Sequence, residues 1–148
     1  MEKNKKLIPG LPTGFEDRWD NKLYLKKKLL KLIEENFIKY GFEPLETPSF
    51  EISDNIGSFL ADDESNPMSD VFTFNDGEKN ITLRYDLSSP LARFVAQNNQ
   101  QLPLPYKRYA IQNVFRNEKA GNARYREFTQ ADCDIVGNVN SAQSNSEL

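Results

Sequence analysis

The 148-residue chain contains no histidine, a single cysteine and no apolar run that approaches the length of a membrane span. Without histidine, it lacks the usual general base and the usual catalytic triads. With Cys133 as its one cysteine, it can form neither an internal disulfide nor a Cys/His zinc site. Any catalysis must therefore use carboxylates, arginines and backbone groups, which favours the stabilisation of charge on phosphates.

The composition is that of a globular protein whose charges nearly balance. Its 19 Lys and Arg residues against 22 Asp and Glu residues give a net charge of -3, which argues against binding nucleic acid through bulk charge alone. The first residues lack the apolar stretch of a secretory signal. We therefore expect a cytoplasmic protein that does not associate with membranes.

Apolar periodicity and turn residues predict an α+β fold in which helices flank an antiparallel β-sheet. Residues 1–16 are interrupted by proline and glycine and are expected to form an irregular N-terminal segment. A helix is predicted over 17–40, since apolar residues recur there at three- and four-residue steps, with Lys26 as the one break. Asp17 or Asp20 is expected to cap the start of this helix.

The elements predicted after this helix are shorter. Gly41 is expected to end the helix, and two prolines predict an edge strand or an extended segment over 41–51. The further elements, in chain order, are a short helix over 53–59, a loop over 61–70, a hairpin over 72–86 that turns at 75–77, a helix over 87–97, a strand over 106–118 and a strand over 124–136.

Alternate positions of three predicted strands separate an apolar face from a face of polar and charged side chains. An ordinary solvated sheet face would show the same alternation. This polar face, however, carries arginine, glutamine and aspartate, which suit bidentate recognition, together with the aromatic ring of Phe128. Such a combination favours an anion or nucleotide site on the sheet. The members of the polar face are Thr82, Arg84, Asp86, Arg116, Glu118, Arg124, Phe128, Gln130, Asp132 and Asp134.

Four segments between residues 41 and 137 give the chain a family resemblance. They are YGFEPLETPSFE, TLRYDLSSPLARFVA, FRNE followed by RYREF, and FTQADCDIVG. In this order they resemble the N-terminal part of the catalytic domain of class II aminoacyl-tRNA synthetases, most closely the histidyl-tRNA synthetases. The resemblance covers about two-thirds of the chain.

The resemblance implies a binding mode for ATP. Arg116 would hold the α-phosphate and stabilise the pentavalent transition state, which makes it the catalytic residue of the set. Glu118 would accept a hydrogen bond from the adenine amino group, Phe128 would stack on adenine, and Arg124 would reach the outer phosphates. Mg²⁺ would accompany ATP and bridge its phosphates with few protein ligands, so no metal site of the protein's own is implied.

The resemblance also implies sites for two further substrates, histidine and tRNA(His). Lys119 and Arg126 would contact the acceptor end of the tRNA. Carboxylates suit the ammonium group of histidine, which is charged near neutral pH. The residues expected to surround histidine are Asp86, Ser88, Gln130 and Asp134.

The implied activity is that of a ligase of protein biosynthesis. Histidine reacts with ATP to give histidyl-adenylate and pyrophosphate, and the histidyl group is then transferred to tRNA. The alternative is a synthetase-like regulatory subunit of ATP phosphoribosyltransferase, which binds histidine without aminoacylation; a prolyl- or threonyl-type synthetase is a third interpretation. The intact FRNE, RYREF and DLSSPLAR segments favour a synthetase. Two residues depart from the family pattern. Where this chain has Thr129, many members have an aromatic residue or histidine, and where it has Asp86, many have glutamate.

The resemblance further implies that residues 17–148 are a partial class II catalytic domain, truncated at its C-terminus. The third class II motif, a histidine-specific segment and an anticodon-binding domain would lie beyond Leu148. On this interpretation the chain alone catalyses little. We expect the full-length protein to be a homodimer with the first motif at the interface, and the isolated piece to aggregate or to dimerise weakly.

Overall fold

The computed structural model describes residues 8–60 and 71–137, with only the backbone described over 57–60. Within these ranges the chain forms three helices and six strands. They are α1 (Asp20–Lys39), β1 (Glu43–Pro44), β2 (Phe50–Ile52), α2 (Ser53–Leu60), β3 (Thr73–Asn75), β4 (Asn80–Leu83), α3 (Ser88–Asn98), β5 (Tyr106–Phe115) and β6 (Glu127–Val136). The loop predicted over 61–70 and the first seven residues of the predicted N-terminal segment lie outside the described residues.

The six strands form two three-stranded sheets. In the first, β5 is central, with β1 parallel to it on one side and β6 antiparallel to it on the other. The β5–β6 register runs from the Tyr106–Val136 pair to the Phe115–Glu127 pair. In the second sheet, β4 pairs antiparallel with β2 and with β3. The predicted α+β class with antiparallel sheets and flanking helices is confirmed, although the parallel pairing of β1 was not predicted.

Helix α1 packs one of its faces against the β5–β6 hairpin. The half-buried positions recur at three- and four-residue steps, which confirms the predicted amphipathic helix. The ring of Phe37 lies 5.4 Å from the ring of Tyr109 on β5, centroid to centroid. Lys26, which breaks the apolar stripe in sequence, lies on this face too, since its Nζ donates to Thr129 Oγ1 at 2.6 Å. The half-buried positions are Leu23, Lys26, Leu30, Ile33 and Phe37.

The two ends of α1 differ in how well the sequence predicted them. Gly41 follows the last residues of the helix with φ +77°, and this left-handed conformation ends the helix as predicted. At the other end the N-cap position is Trp19, which makes no side-chain capping hydrogen bond. The predicted cap by Asp17 or Asp20 is therefore wrong. Asp20 lies one position too late, inside the first turn, where its charge can favour the helix dipole but cannot cap.

The strands that carry the polar face are shorter than predicted. β4 ends at Leu83, β5 ends at Phe115 and β6 begins at Glu127. After Leu83 the backbone N–H of Arg84 donates to Ser49 O at 2.9 Å, still in the β2–β4 register, while Arg84 O accepts from Phe115 N at 3.0 Å. The ends of β4 and β5 are thereby held next to each other.

A small buried cluster lies beneath the polar face of the β5–β6 hairpin. It consists of Leu87, Ala110 and Val114, with Phe128 packed against it. By alternation, Ala110 and Val114 lie on the side of β5 opposite to α1, which is the side of the polar face. The polar face therefore has buried apolar side chains beneath it. The sequence analysis assigned these two residues to neither face. Among the described residues, no helix combines the length and the apolarity needed to cross a membrane.

We expect Leu87→Ala to lower the free energy of unfolding by about 2–5 kcal/mol, because it opens a cavity where the side chain is 2% exposed. Urea-induced unfolding of the purified chain measures the change. Ile8→Ala is the matched control, since Ile8 is 87% exposed and should change the value by less than about 0.5 kcal/mol. Equal effects of the two substitutions would contradict the position of Leu87 in the core.

Candidate functional site

A cleft of about 340 Å³ lies where β5 ends and β6 begins. All four residues predicted to bind ATP contribute to its walls. Arg116 directly follows the last residue of β5, and Phe128 is the second residue of β6, so the antiparallel pairing itself brings them together. The residues that line the cleft are Arg116, Glu118, Ala123, Arg124, Tyr125 and Phe128.

Arg116 is held between two aromatic rings. Its guanidinium carbon lies 4.4 Å from the ring centroid of Tyr85 and 5.1 Å from that of Phe128. Its Nε donates to Tyr85 O at 3.3 Å, and its backbone N–H donates to Arg126 O at 2.9 Å. Cation–π contacts of this kind restrict a long side chain to one region. The guanidinium is therefore placed in the cleft before any ligand arrives.

Glu118 accepts two contacts inside the cleft. Its Oε1 accepts a hydrogen bond from the hydroxyl of Tyr85 at 3.2 Å, and its Oε2 forms an ion pair with Arg124. The side chain of Arg124 is 65% exposed, so this pair contributes on the order of 0–1 kcal/mol and can be exchanged for another partner at little cost. Tyr85 was not among the predicted site residues, although it contacts both Arg116 and Glu118.

The turn of the hairpin is held by the chain segment that precedes α1. The backbone N–H of Arg126 donates to Gly14 O at 2.8 Å, and Arg18 Nη2 donates to Glu127 O at 2.8 Å. Gly14 has φ +87°, and a Cβ added there would lie 2.7 Å from Arg126 Cγ. The sequence predicted an irregular segment over 1–16 and placed Arg18 in the helix, which in fact begins at Asp20. The signal that could have found the contact is the glycine, which permits both the backbone conformation and the close approach.

Arg126 and Lys119, the two predicted tRNA contacts, lie in different surroundings. Arg126 is half-buried, and its Nε donates to Glu118 O at 2.9 Å, so its side chain ties the two sides of the hairpin together. Lys119 is exposed in the turn. Of these two residues, Lys119 presents the more accessible positive charge.

At the start of α3, Asp86 works as a local cap. Its Oδ1 accepts from Ser89 N at 3.3 Å, and its Oδ2 accepts from Ser89 Oγ at 3.2 Å. Ser88 is the first residue of the helix and is exposed. The hydroxyl that contacts Asp86 is therefore that of Ser89, which the sequence analysis did not single out.

On β6, Gln130 and Asp134 share the face that carries Phe128, as the alternation predicted. Gln130 Nε2 donates to Asp132 Oδ2 at 2.7 Å. Asp134 Oδ2 lies 2.7 Å from Nη2 of Arg108, its partner in the β5–β6 register. Burial raises the pKa of Asp134, while the positive charge of Arg108 opposes that rise.

Two arginines on this side of the molecule, Arg108 and Arg84, have positions that the sequence analysis did not predict. Arg108 was not singled out, although it lies on the same face of β5 as Arg116 by simple alternation. Arg84 was predicted on the ligand-facing side but is buried, with Nε donating to Asn113 O at 2.6 Å and Nη1 donating to Thr47 O at 2.7 Å. Its guanidinium joins backbone segments and does not line the cleft.

The chain matches the sequence model of the family described as tRNA synthetases class II core domain (F) over residues 16–145. It is 78% identical over 148 residues to a protein from Pelagibacter ubique (strain HTCC1062) named histidine–tRNA ligase, which covers 100% of this chain and 32% of that protein. It is 44% identical over 142 residues to a protein of the same name from Rhodopseudomonas palustris (strain BisB18), a match that covers 95% of this chain and 27% of that protein. The chain thus spans about a third of the length of the curated relatives it matches.

Solved structures share the fold. A crystal structure described as histidyl-tRNA synthetase from Nostoc sp. PCC 7120 has a TM-score of 0.76 at 28% identity, covering 93% of this chain and 32% of that one. A second structure, described as an ATP phosphoribosyltransferase regulatory subunit/histidyl-tRNA synthetase from Bacillus halodurans C, has a TM-score of 0.79 at 24% identity, covering 96% and 36%. At that identity the second structure shows a common fold alone.

We expect Gly14→Ala to loosen the hairpin turn, because the new methyl group meets Arg126 and the backbone conformation at this position is unfavourable for alanine. The free energy of unfolding should fall by about 1–3 kcal/mol, and hydrogen exchange at the Arg126 amide should accelerate. Gly10→Ala is the control, since a Cβ there meets nothing within 4 Å. Unchanged exchange at Arg126 would show that the N-terminal segment does not hold the turn.

Proposed function

The chain belongs to the class II core-domain family of tRNA synthetases, and from this premise we propose that it is the N-terminal part of the catalytic domain of a histidine–tRNA ligase. The whole protein would activate histidine with ATP and transfer the histidyl group to tRNA(His). One observation carries this proposal: Arg116, Glu118, Arg124 and Phe128 line a single cleft. The identity to proteins named histidine–tRNA ligase supports the choice of amino acid.

In the proposed ATP complex, Arg116 neutralises the α-phosphate. An arginine suits this task because its planar guanidinium stays charged and donates several hydrogen bonds in a fixed geometry. The negative charge that develops as the carboxylate of histidine attacks phosphorus would be stabilised by a group that is already in position. The aromatic contacts with Tyr85 and Phe128 supply that positioning.

Adenine would stack on Phe128, and Glu118 would accept a hydrogen bond from its amino group. This requires Glu118 to release Arg124, which would then turn toward the outer phosphates. The exposed ion pair between these two residues costs little to open. Arg124 thereby exchanges a carboxylate partner for a phosphate partner, so the cleft need not bury an unpaired charge.

Mg²⁺ would enter this cleft with the nucleotide. Glu118 is the carboxylate in the cleft lining, and its oxygens already contact Tyr85 and Arg124. Mg²⁺ keeps most of its water and phosphate ligands in nucleotide sites, so the donors present fit an ion bound mainly through ATP. When bound, the ion would reduce the negative charge on the phosphates.

Histidine would bind on the same face, beyond the α-phosphate position. Asp86 and Asp134 offer carboxylates for its ammonium and imidazole groups, and Gln130 offers an amide with both donor and acceptor. Ser88, exposed at the start of α3, is the fourth proposed contact. Lys119 and Arg126 would meet the acceptor end of the tRNA at the hairpin turn.

We further propose that the full-length protein is a cytoplasmic homodimer and that α1 contributes to its interface. The helix carries a second apolar row, spaced four and three residues apart, that does not face the sheet. Leu25, Leu29 and Leu32 form this row and are more than half exposed. Covering such a row against a second copy removes apolar surface from water.

We expect this chain to support histidine activation when it replaces the matching 148-residue segment of the Pelagibacter ubique ligase. The 78% identity makes a folded chimera a reasonable design. The chimera should exchange pyrophosphate into ATP with histidine and with no other amino acid. Arg116→Ala should lower the exchange rate by about 10²–10³-fold without changing the unfolding midpoint, because it removes a group that stabilises charge in the transition state. Lys79→Ala, exposed at the β3–β4 turn, is the control.

The outcomes of this assay separate the three interpretations. A folded chimera that binds histidine but exchanges no pyrophosphate favours the regulatory-subunit alternative. Exchange driven by proline or threonine favours another class II synthetase. A loss of folding in Arg116→Ala would contradict the assignment of this side chain to the ligand face.

For the proposed dimer, we expect Leu29→Asp in the chimera to weaken self-association at least about tenfold, since it places a charge within the apolar row. Sedimentation velocity over a concentration series measures the association constant. Leu104→Asp is the matched control, because Leu104 is also exposed but lies in the connection between α3 and β5. If both substitutions leave the association unchanged, α1 does not form the interface.

A further inference from the structure

Arg108 is the most deeply buried charged side chain on the polar face of β5. Its side chain is 1% exposed, whereas that of its ion partner Asp134 is 35% exposed. Both residues lie opposite each other in the β5–β6 register, on the face that carries Gln130 and Phe128. A guanidinium at this depth requires a specific role, because burying a charge is costly unless it is well paired.

We propose that Arg108 is a positioning residue for the amino-acid pocket, which holds Asp134 and the start of α3 in the geometry that receives the substrate. The inference rests on the proposed function and adds to it a residue that does not itself touch histidine or ATP. Arg108 acts through the proposed substrate contacts on either side of it.

The first support is that one nitrogen of Arg108 joins two separate elements. Nη2 lies 2.7 Å from Asp134 Oδ2 and donates to Leu87 O at 3.0 Å. Leu87 stands between Asp86 and Ser88, two of the four proposed histidine contacts, and its side chain is anchored in the buried cluster. A single guanidinium therefore sets the distance between β6 and the start of α3, and with it the width of the pocket.

The second support is the way in which Asp134 is exposed. Its Oδ2 is buried and meets Arg108, so the exposure of this side chain lies on its other atoms. The 2.7 Å contact at Oδ2 is an ion pair without hydrogen-bond geometry, so charge attraction holds this oxygen toward Arg108 and leaves Oδ1 for a ligand. An ion pair that uses one oxygen orients the other without consuming it.

The third support is that this pair is a poor stabilising contact. Within the described part of the chain, Nε and Nη1 of Arg108 have no hydrogen-bond acceptor, and Oδ2 of Asp134 has no hydrogen-bond donor despite its ion pair with Nη2. Buried N–H groups without acceptors cost free energy, and replacing buried ion pairs by apolar side chains is often neutral or stabilising. The presence of Arg108 is therefore better explained by a role in the pocket than by a contribution to the stability of the fold.

Arg84 provides the internal comparison. It is 4% exposed, but its guanidinium donates to the carbonyls of Asn113 and Thr47, and neither residue is a proposed substrate contact. Arg84 and Arg108 are therefore two buried arginines of which only Arg108 bridges proposed substrate contacts. Substituting each in the same way separates an effect on stability from an effect on the pocket.

The test uses the full-length chimera with Arg108→Met, Arg108→Lys and Arg84→Met, each assayed by pyrophosphate exchange at varied histidine and at varied ATP. We expect Arg108→Met to raise the KM for histidine at least about tenfold and to change the KM for ATP by less than about twofold. Arg108→Lys keeps the charge but loses the planar fork, so its KM for histidine should rise at least about threefold and stay below that of Arg108→Met. Arg84→Met should leave both KM values within about twofold.

Each result decides the proposal. Equal changes in the two KM values of Arg108→Met, or a histidine KM no higher than that of Arg84→Met, would overturn it. If Arg108→Met does not fold, Arg108→Lys decides, and a histidine KM equal to that of the unsubstituted chimera overturns the proposal. An unsubstituted chimera that folds without exchanging pyrophosphate would instead reject the proposed function, and this inference with it.

Discussion

The ten-residue antiparallel pairing of β5 with β6 is the constraint on which the rest of the molecule depends. The register decides that Phe128 lies opposite Val114 and that Asp134 lies opposite Arg108. Side chains alternate along a strand, so a slip of one residue would turn every site residue of one strand toward α1. Contacts on both faces oppose such a slip: Lys26 and Phe37 of α1 on one side, and the buried cluster around Leu87 on the other.

The same hairpin combines two tasks that usually compete. A face built to bind anions needs exposed cationic groups, whereas a stable sheet needs buried apolar surface. Here Ala110 and Val114 lie between the charged positions of β5 and pack against Leu87, so a buried apolar cluster lies beneath the polar side chains. Removing water from beneath the site strengthens the electrostatic interactions above it, since the local dielectric constant is lower there. Under the proposed function, stability and ligand binding thus use the same strands.

Sequence reasoning predicted the helices, the hairpin and the faces of Phe128, Gln130 and Asp134 because these follow from local periodicity and turn chemistry. It did not show that Arg84 is buried whereas Arg116 lines the cleft. Alternation assigns a residue to a face of the sheet but does not say how deeply its side chain is buried. The depth of Arg84 is set by the carbonyls of Thr47 and Asn113, which the fold brings to it from distant parts of the chain. Arg108 was missed for a related reason, because its partners become neighbours only through the β5–β6 register and the start of α3. The length of β4 was overestimated because alternation does not show where the backbone turns to a new partner, as Arg84 O does in accepting from Phe115 N.

The contact between Gly14 and the hairpin also determines an order of events during folding. Arg18 and Glu127, which form part of the same contact, are 109 positions apart in the chain. The segment before α1 therefore cannot reach its final place until the hairpin has been synthesised, and closing so long a loop carries an entropic cost before any contact repays it. Helix α1 can form early from local interactions, but the residues just before it must wait for the hairpin. Translation thus produces the segment that holds the hairpin turn well before the hairpin exists.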